Sequence, residues 1–201
     1  MKVVLATRNA GKIAEIRELF RLPGVEWVSA ADIPGAPDVE EDGDTFEANA
    51  AKKAVALAKA TGLWALADDS GLEVRALGDA PGVHSARYGG ENTTSLENNR
   101  LLLRNLESET DRAARFRCVV ALSDPEGNVT FATGTCNGTL LRERRGDGGF
   151  GYDPLFVPDG HQRTFAEMDA AEKNAISHRA RALAAARAPF LARLSSAAQK
   201  K

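Results

Sequence analysis

The chain has 201 residues, 43% of them apolar, with 26 lysines and arginines against 28 aspartates and glutamates and a formal charge of −2. That length suits one large domain or two small lobes sharing a core, and the charge balance argues against a broad nucleic-acid surface while allowing a local basic pocket. No apolar run approaches the ~20 residues that a membrane span needs.

Met1–Ala6 is too short for a signal peptide and reads as a first strand, with Val3–Ala6 apolar. The polar turn Thr7-Arg8-Asn9-Ala10-Gly11-Lys12 follows, then a helix with Ile13, Ile16, Leu19 and Phe20 on one face. Strand, polar turn and helix start together aim backbone N–H groups and the helix dipole at an anion. The turn lacks the spacing and the Lys-Ser/Thr ending of a Walker loop. Glu26–Ser29 reads as a second strand, and residues 31–44 as a loop carrying Glu40, Glu41, Asp42 and Asp44.

Asp44-Thr45-Phe46-Glu47 has capping-box form with an acid at the N-cap, and predicts a helix from about Thr45 to Thr61 with Phe46, Ala50, Ala54, Leu57 and Ala58 buried. Lys52 and Lys53 lie about 100° apart on that helix and cannot share one contact. Ala65–Ala67 then runs into Asp68-Asp69-Ser70-Gly71, where the strand is expected to end. Successive strand residues face opposite ways, so one Asp can face a cleft while the other turns toward the protein body. An acid pair at a strand's carboxyl end is a common place for chemistry in α/β folds, although Asp, Ser and Gly are also ordinary turn formers.

Leu72–Leu77 reads as a further strand and residues 78–90 as a long loop. Thr94-Ser95-Leu96-Glu97 is a capping box opening a helix through Leu102, Leu103 and Leu106. Arg115–Ser123 and Val129–Cys136 flank a hairpin turn, and Asn137-Gly138 suggests a tight turn into a strand at Thr139–Leu141. Cys118 and Cys136 lie inside these strand-like runs, outside any Cys-x-x-Cys spacing, and read as reduced core residues of a cytoplasmic protein. Gly146–Gly151 fits G-x-G-x-x-G by letter, but charged residues precede it and Tyr152-Asp153-Pro154 follows, so it is not read as a dinucleotide turn. Phe150 and Tyr152 either stack on a flat ring or fill a core. Asp169-Ala170-Ala171-Glu172 opens a further acid-capped helix leading to Lys173, His178 and Arg179; Pro189 is expected to kink or split the alanine-rich helix after it. The Lys200-Lys201 end is expected to fray. His84 and His161 are too scattered for a zinc site.

A phosphate-type turn, a carboxylate pair, an acid cluster before a helix, a Gly/aromatic loop and a basic helix start suggest one ligand bearing phosphates, a divalent metal and a flat base. The segments Thr7-x-Asn9-x-Gly11-Lys12, Thr45-Phe46 with Asn49-Ala50 and Lys53, Ala67–Leu72, Pro81–Tyr88, Gly149–Pro154 and Glu172–Arg179 occur in the order found in the inosine triphosphate pyrophosphatase family. The chain resembles that family of non-canonical purine NTP pyrophosphatases along its length. Arg8 stands where the family commonly has glycine, implying a less tight turn or an added phosphate or solvent contact.

The resemblance implies an elongated mixed α/β fold of two lobes with flanking helices and a central active-site cleft, residues 1–201 forming one pyrophosphatase domain. It implies a cytoplasmic homodimer that needs Mg²⁺, hydrolyses ITP, dITP and XTP to monophosphate and pyrophosphate, and binds neither nucleic-acid polymer nor membrane. By matching positions, Asp69 is the expected proton acceptor and a metal ligand, with Glu40 or Glu41 as second acid. Thr7, Arg8, Asn9, Ala10, Gly11, Lys12 and Lys53 are expected on the triphosphate and Ser70 on the substrate. Phe150, Gly151, Tyr152, Asp153, Lys173, His178 and Arg179 are expected on the base.

Overall fold

Val3, Val4 and Leu5 are fully buried in succession, the pattern of a strand covered on both faces in a parallel setting. They belong to strand β1 (Lys2–Leu5), which pairs in parallel with β2 (Glu26–Ser29) on one side and β3 (Trp64–Val74) on the other. With β4 (Ala113–Ser123), β5 (Val129–Leu140) and β6 (Phe156–Pro158) they form a six-stranded sheet in the order β2-β1-β3-β4-β5-β6. The β5–β6 pair is antiparallel, so the sheet is mixed. Five helices accompany it: α1 (Ala10–Leu19), α2 (Phe46–Thr61), α3 (Ser95–Asn105), α4 (Ala170–Ile176) and α5 (His178–Ala198). This computed structural model describes residues 1–198; the expectation for Lys200-Lys201 lies outside the described residues.

The chain forms two compact units. The first takes residues 1–69, 118–134 and 179 onward; the second takes 70–117 and 135–178. The core of the first packs Val3, Leu5 and Leu66 of the sheet against Ile16 and Phe20 from α1 and its C-cap and Leu183, Ala186 and Phe190 of α5. Phe20 meets Phe190 edge-on at 6.1 Å and stacks on Trp27 at 5.7 Å, geometries worth about 0.5–1.5 kcal/mol each beyond burial. The core of the second centres on Phe116, Phe156 and Phe165, with centroids 4.7, 5.2 and 6.0 Å apart.

Several expectations need correction. β3 does not end at Asp68-Asp69 but runs on to Val74, 11 residues in all, followed by a 3₁₀ turn at Arg75–Leu77. Thr45, not Asp44, caps α2, accepting from the Ala48 N–H at 3.1 Å. Residues 82–87 of the expected loop form a 3₁₀ helix. Asn137-Gly138 is no turn: β5 continues through it to Leu140. Gly138 instead admits β6, since a Cβ there would lie 2.3 Å from the Val157 carbonyl. Nor does Pro189 split α5, which continues through it as one 21-residue helix. Pro189 faces outward while Ala182, Leu183, Ala186, Phe190 and Leu194 are buried, so the core holds the helix together across the missing hydrogen bond. Cys118 and Cys136 are both buried thiols outside any disulfide, as expected, and burial pushes the Cys118 thiol up to about 12.

Candidate active site

Asp68 and Asp69 are consecutive residues of β3, so their side chains leave on opposite faces. Each has found a different set of partners within the first unit. Asp69 is 4% exposed and accepts from Asn49 Nδ2 at 3.1 Å, with Lys53 Nζ 3.9 Å from its other oxygen. Lys53 also donates to the Glu41 carboxylate and, at 2.8 Å, to the Asp68 carbonyl. Asn49 and Lys53 are buried members of the same helix face as Phe46, Ala50 and Leu57. Asn49 reaches back to the acid loop as well, its Oδ1 accepting from the Gly43 N–H at 2.7 Å. The loop is thereby clamped with Glu41 turned toward Lys53, while Glu40 is exposed. Lys52 points elsewhere, to Asp42 at 2.6 Å, as its 100° offset requires.

Burial pushes the Asp69 carboxyl above its ordinary value; Lys53 opposes this and the Glu41 charge adds to it. A buried carboxylate with a raised proton affinity and a second acid close by is the arrangement that general bases and metal ligands share. Asp68 goes the other way. Burial alone would raise it, but Lys12, Arg179 and Lys53 outweigh burial and hold it well below the usual carboxylate range. Its Oδ2 takes Arg179 Nε at 3.2 Å, Arg179 Nη2 at 3.0 Å and Lys12 Nζ at 3.2 Å, while Oδ1 is buried with no hydrogen-bond partner among the described residues.

Lys12 stands at the third residue of α1, where its N–H is capped by Asn9 Oδ1 at 3.2 Å. Thr7 Oγ1 accepts from the Asn9 N–H at 3.2 Å. Arg8, Asn9, Ala10 and Gly11 are exposed, leaving the start of α1 open to an incoming anion. Arg8 leans away from the turn, donating to the Ala36 carbonyl at 3.2 Å.

The remaining expected residues, apart from Arg179, lie in the second unit. Asp153 Oδ2 accepts from Lys173 Nζ at 2.6 Å and from the Phe150 N–H at 2.8 Å. Gly149, at φ +69, permits this: a Cβ there would fall 2.2 Å from Asp153 Oδ2. The Lys173 ammonium also lies 4.5 Å from the centroid of the Phe150 ring, which is 42% exposed. The capping box between Asp169 and Glu172 fixes the start of the helix that carries Lys173. Tyr152 departs from Phe150: it is buried, and its hydroxyl donates to the Ser85 carbonyl at 2.9 Å. Of the two expected rings one fills the core and one is presented to solvent. Gly151 is held through its carbonyl by Asn99 Nδ2 at 2.9 Å. His178 is buried with its ring stacked on Phe116 at 4.8 Å, and Ser70 is half-buried.

Arg179 is the clearest departure from the expected layout. It is 1% exposed and belongs to the first unit, where it bonds Asp68 and, through Nη1, Glu15. The sequence assigned no role to Glu15, Asn49 or Asn99. A readable signal existed for Asn49, a polar residue on an otherwise apolar helical stripe. Glu15 and Asn99 carry none, because their partners are 164 and 52 residues away.

A model of the Ham1 family matches residues 3–188. The chain is 54% identical over 185 residues to a dITP/XTP pyrophosphatase of Desulforamulus reducens, covering 91% of this chain and 92% of the relative. It is 51% identical over 185 residues to a dITP/XTP pyrophosphatase of Geobacter sulfurreducens, covering 91% and 93%. Among solved structures, a HAM1 protein from Coxiella burnetii superposes with a TM-score of 0.86 at 44% identity over the whole of both chains. A nucleoside-triphosphatase / dITP/XTP pyrophosphatase from Mycobacterium abscessus gives 0.77 at 46% identity over 92% and 98%. With most of its length matched by the family and by close relatives, the chain belongs to the Ham1 family.

Proposed function

We propose that this protein hydrolyses non-canonical purine nucleoside triphosphates (ITP, dITP and XTP) to the monophosphate and pyrophosphate, clearing them from the nucleotide pool. The names of its close relatives support the reaction. The observation that carries it in this chain is the buried Asp69 carboxylate set between Asn49 and Lys53 with Glu41 beside it.

In this reading the start of α1, from Thr7 to Lys12, and Lys53 hold the triphosphate in the first unit, the lysines as point charges. Asp69 orients a water and accepts its proton as the water adds to phosphorus. The phosphoanhydride bond between the α and β phosphates breaks, and pyrophosphate leaves with the bonding electron pair. Residues 70–117 and 135–178 supply the base contacts: Phe150 for stacking, and Lys173 with the Gly151 and Tyr152 N–H groups as donors to a 6-keto oxygen. Ser70 touches substrate and His178 backs the base residues from its place on Phe116. Arg179 we assign to Asp68 rather than to the base, because Nε, Nη1 and Nη2 each already donate to a carboxylate. Residues 1–201 serve as one pyrophosphatase domain.

The donor set fits Mg²⁺. Asp69 and Glu41 offer oxygen only, and their mutual repulsion contributes to the raised Asp69, which a hard cation would relieve. Among the described residues no group of three or more His, Cys, Asp or Glu side chains could hold a metal by itself. That suits a cation whose shell is completed by water and substrate phosphates. When bound, it would neutralise phosphate charge and ease departure of pyrophosphate. Glu41, not Glu40, is the second ligand in this proposal, given its bond to Lys53. We further assign the protein to the cytoplasm, a reading supported by its buried thiols, and read it, as the family resemblance implies, as a homodimer; among the described residues no helix is long and apolar enough to cross a membrane.

The test is a panel of nucleoside triphosphates with Mg²⁺, scored for pyrophosphate. Release from ITP, dITP and XTP but not ATP or CTP is expected; orthophosphate as the only product would overturn the reading.

A further inference from the structure

Asp68 is absent from the chemistry proposed above, yet its side chain is fully buried and surrounded by charge. Its Oδ2 is shared by Arg179 Nε (3.2 Å), Arg179 Nη2 (3.0 Å) and Lys12 Nζ (3.2 Å), and Arg179 is tied in turn to Glu15. The four side chains sum to zero formal charge, so the cluster needs no further counter-ion. Lys12 and Glu15 are its partly exposed members, each with 16% of its side chain exposed, while Asp68 and Arg179 are closed off at 0% and 1%. An ammonium has three N–H donors in a fixed tetrahedral arrangement. The contact with Asp68 occupies at most part of that capacity, and Lys12 belongs to the first turn of α1, whose start is open. Asp68 itself cannot swing: it sits within β3, its carbonyl is taken by Lys53 at 2.8 Å, and two guanidinium bonds fix its carboxylate.

We propose that Asp68 is a positioning residue that works through Lys12. Held by Arg179 and Glu15, it pre-orients the Lys12 ammonium for phosphate, so that a flexible four-carbon side chain is ordered before the nucleotide arrives. The inference rests on the reading of the Thr7–Lys12 turn as a triphosphate cradle. It follows from the general cost of ordering a long side chain on binding, which preorganisation removes. Asp68 touches neither substrate nor metal; Lys12 does the binding.

The test is a double-mutant cycle. Dissociation constants for inorganic tripolyphosphate with Mg²⁺, and kcat and KM for ITP, are measured for the wild type, Lys12→Ala, Asp68→Asn and the double variant. Each single change should weaken tripolyphosphate binding about tenfold, on the scale of one charge-assisted hydrogen bond. The double variant should bind no more weakly than Lys12→Ala alone. For ITP the Asp68→Asn loss should fall on KM more than on kcat. Losses that multiply in the double variant, or a wild-type Kd in Asp68→Asn, overturn the proposal, since a merely structural role would add to the loss of Lys12. Should Asp68→Asn fail to fold, Glu15→Gln at the half-buried end of the cluster takes its place. It should give a smaller loss that vanishes in the Lys12→Ala background; no loss, or the same loss in both backgrounds, overturns the idea. A wild-type protein that turns over ITP while the cycle is additive removes this inference only. One that does not bind tripolyphosphate removes the cradle reading beneath it.

Discussion

If Asp69 is the base we propose, it pulls stability and turnover in opposite directions. Folding raises its pKa, chiefly by burial, so the folded chain holds the Asp69 proton more tightly than the unfolded chain. The stabilisation this gives is complete below the unfolded value of ~3.9 and is lost as pH rises through the raised folded value. At neutral pH the ionised carboxylate therefore costs the ligand-free protein stability. Asp69→Asn should raise Tm at neutral pH without metal while lowering kcat for ITP by ~10² or more, the scale of a lost general base. The Tm gain should shrink as pH falls through the folded pKa of Asp69; an Asn variant less stable than wild type at neutral pH would contradict the burial argument. Asp68 has the opposite sign. Its lowered folded pKa gives stability that is present above ~3.9 and lost as pH falls through the folded value, so Asp68→Asn should lower Tm at neutral pH.

Elements with a strong local pattern are legible in the sequence: the apolar run of β1, the apolar stripe of α2, and the capping boxes of α3 and α4. What was not legible is held by distant partners. Local chemistry at Asp68-Asp69 favours a turn, but Arg179 lies 111 residues away and sequence spacing contains no trace of it. With both acids held by side chains from other elements, the backbone stays in the sheet. The same holds for Gly138, whose turn signal is overridden by β6, a three-residue strand too short to carry a pattern. Gly138→Ala would set a methyl group 2.3 Å from the Val157 carbonyl and 2.6 Å from Phe156 Cζ. A loss of about 1–3 kcal/mol is expected from such overpacking, readable as a lower urea midpoint. Activity should fall with it, because β6 follows directly on the 3₁₀ turn Asp153–Leu155. Pro189→Ala should do the reverse. The proline is exposed within a continuous helix, and restoring its N–H should add up to about 3 kcal/mol with an unchanged urea m-value.

At the scale of the whole molecule, the proposed reading gives each unit its own set of groups: charges for phosphate in the first, a donor-and-ring set for the base in the second. Hypoxanthine offers an O6 acceptor and an N1–H donor; adenine reverses both. A site whose donors are matched to O6 leaves them unpaired against adenine, and such mismatches reach ~10⁴. ITP should therefore exceed ATP by at least ~10³ in kcat/KM. Lys173→Met keeps much of the side chain's bulk over Phe150 and removes the ammonium. It should cut ITP and XTP efficiency and narrow their lead over ATP, while inorganic tripolyphosphate binds as it does to wild type. Arg179→Ala should behave differently. Because the guanidinium is engaged by Asp68 and Glu15, its removal should reduce efficiency for ITP, XTP, GTP and ATP by one common factor and weaken tripolyphosphate as well. The measurement is kcat/KM for the four nucleotides in the three proteins, with a tripolyphosphate Kd for each. An Arg179→Ala protein whose loss falls on the 6-keto bases alone would return Arg179 to the base and leave Lys173 and the loop backbone a secondary part in selectivity.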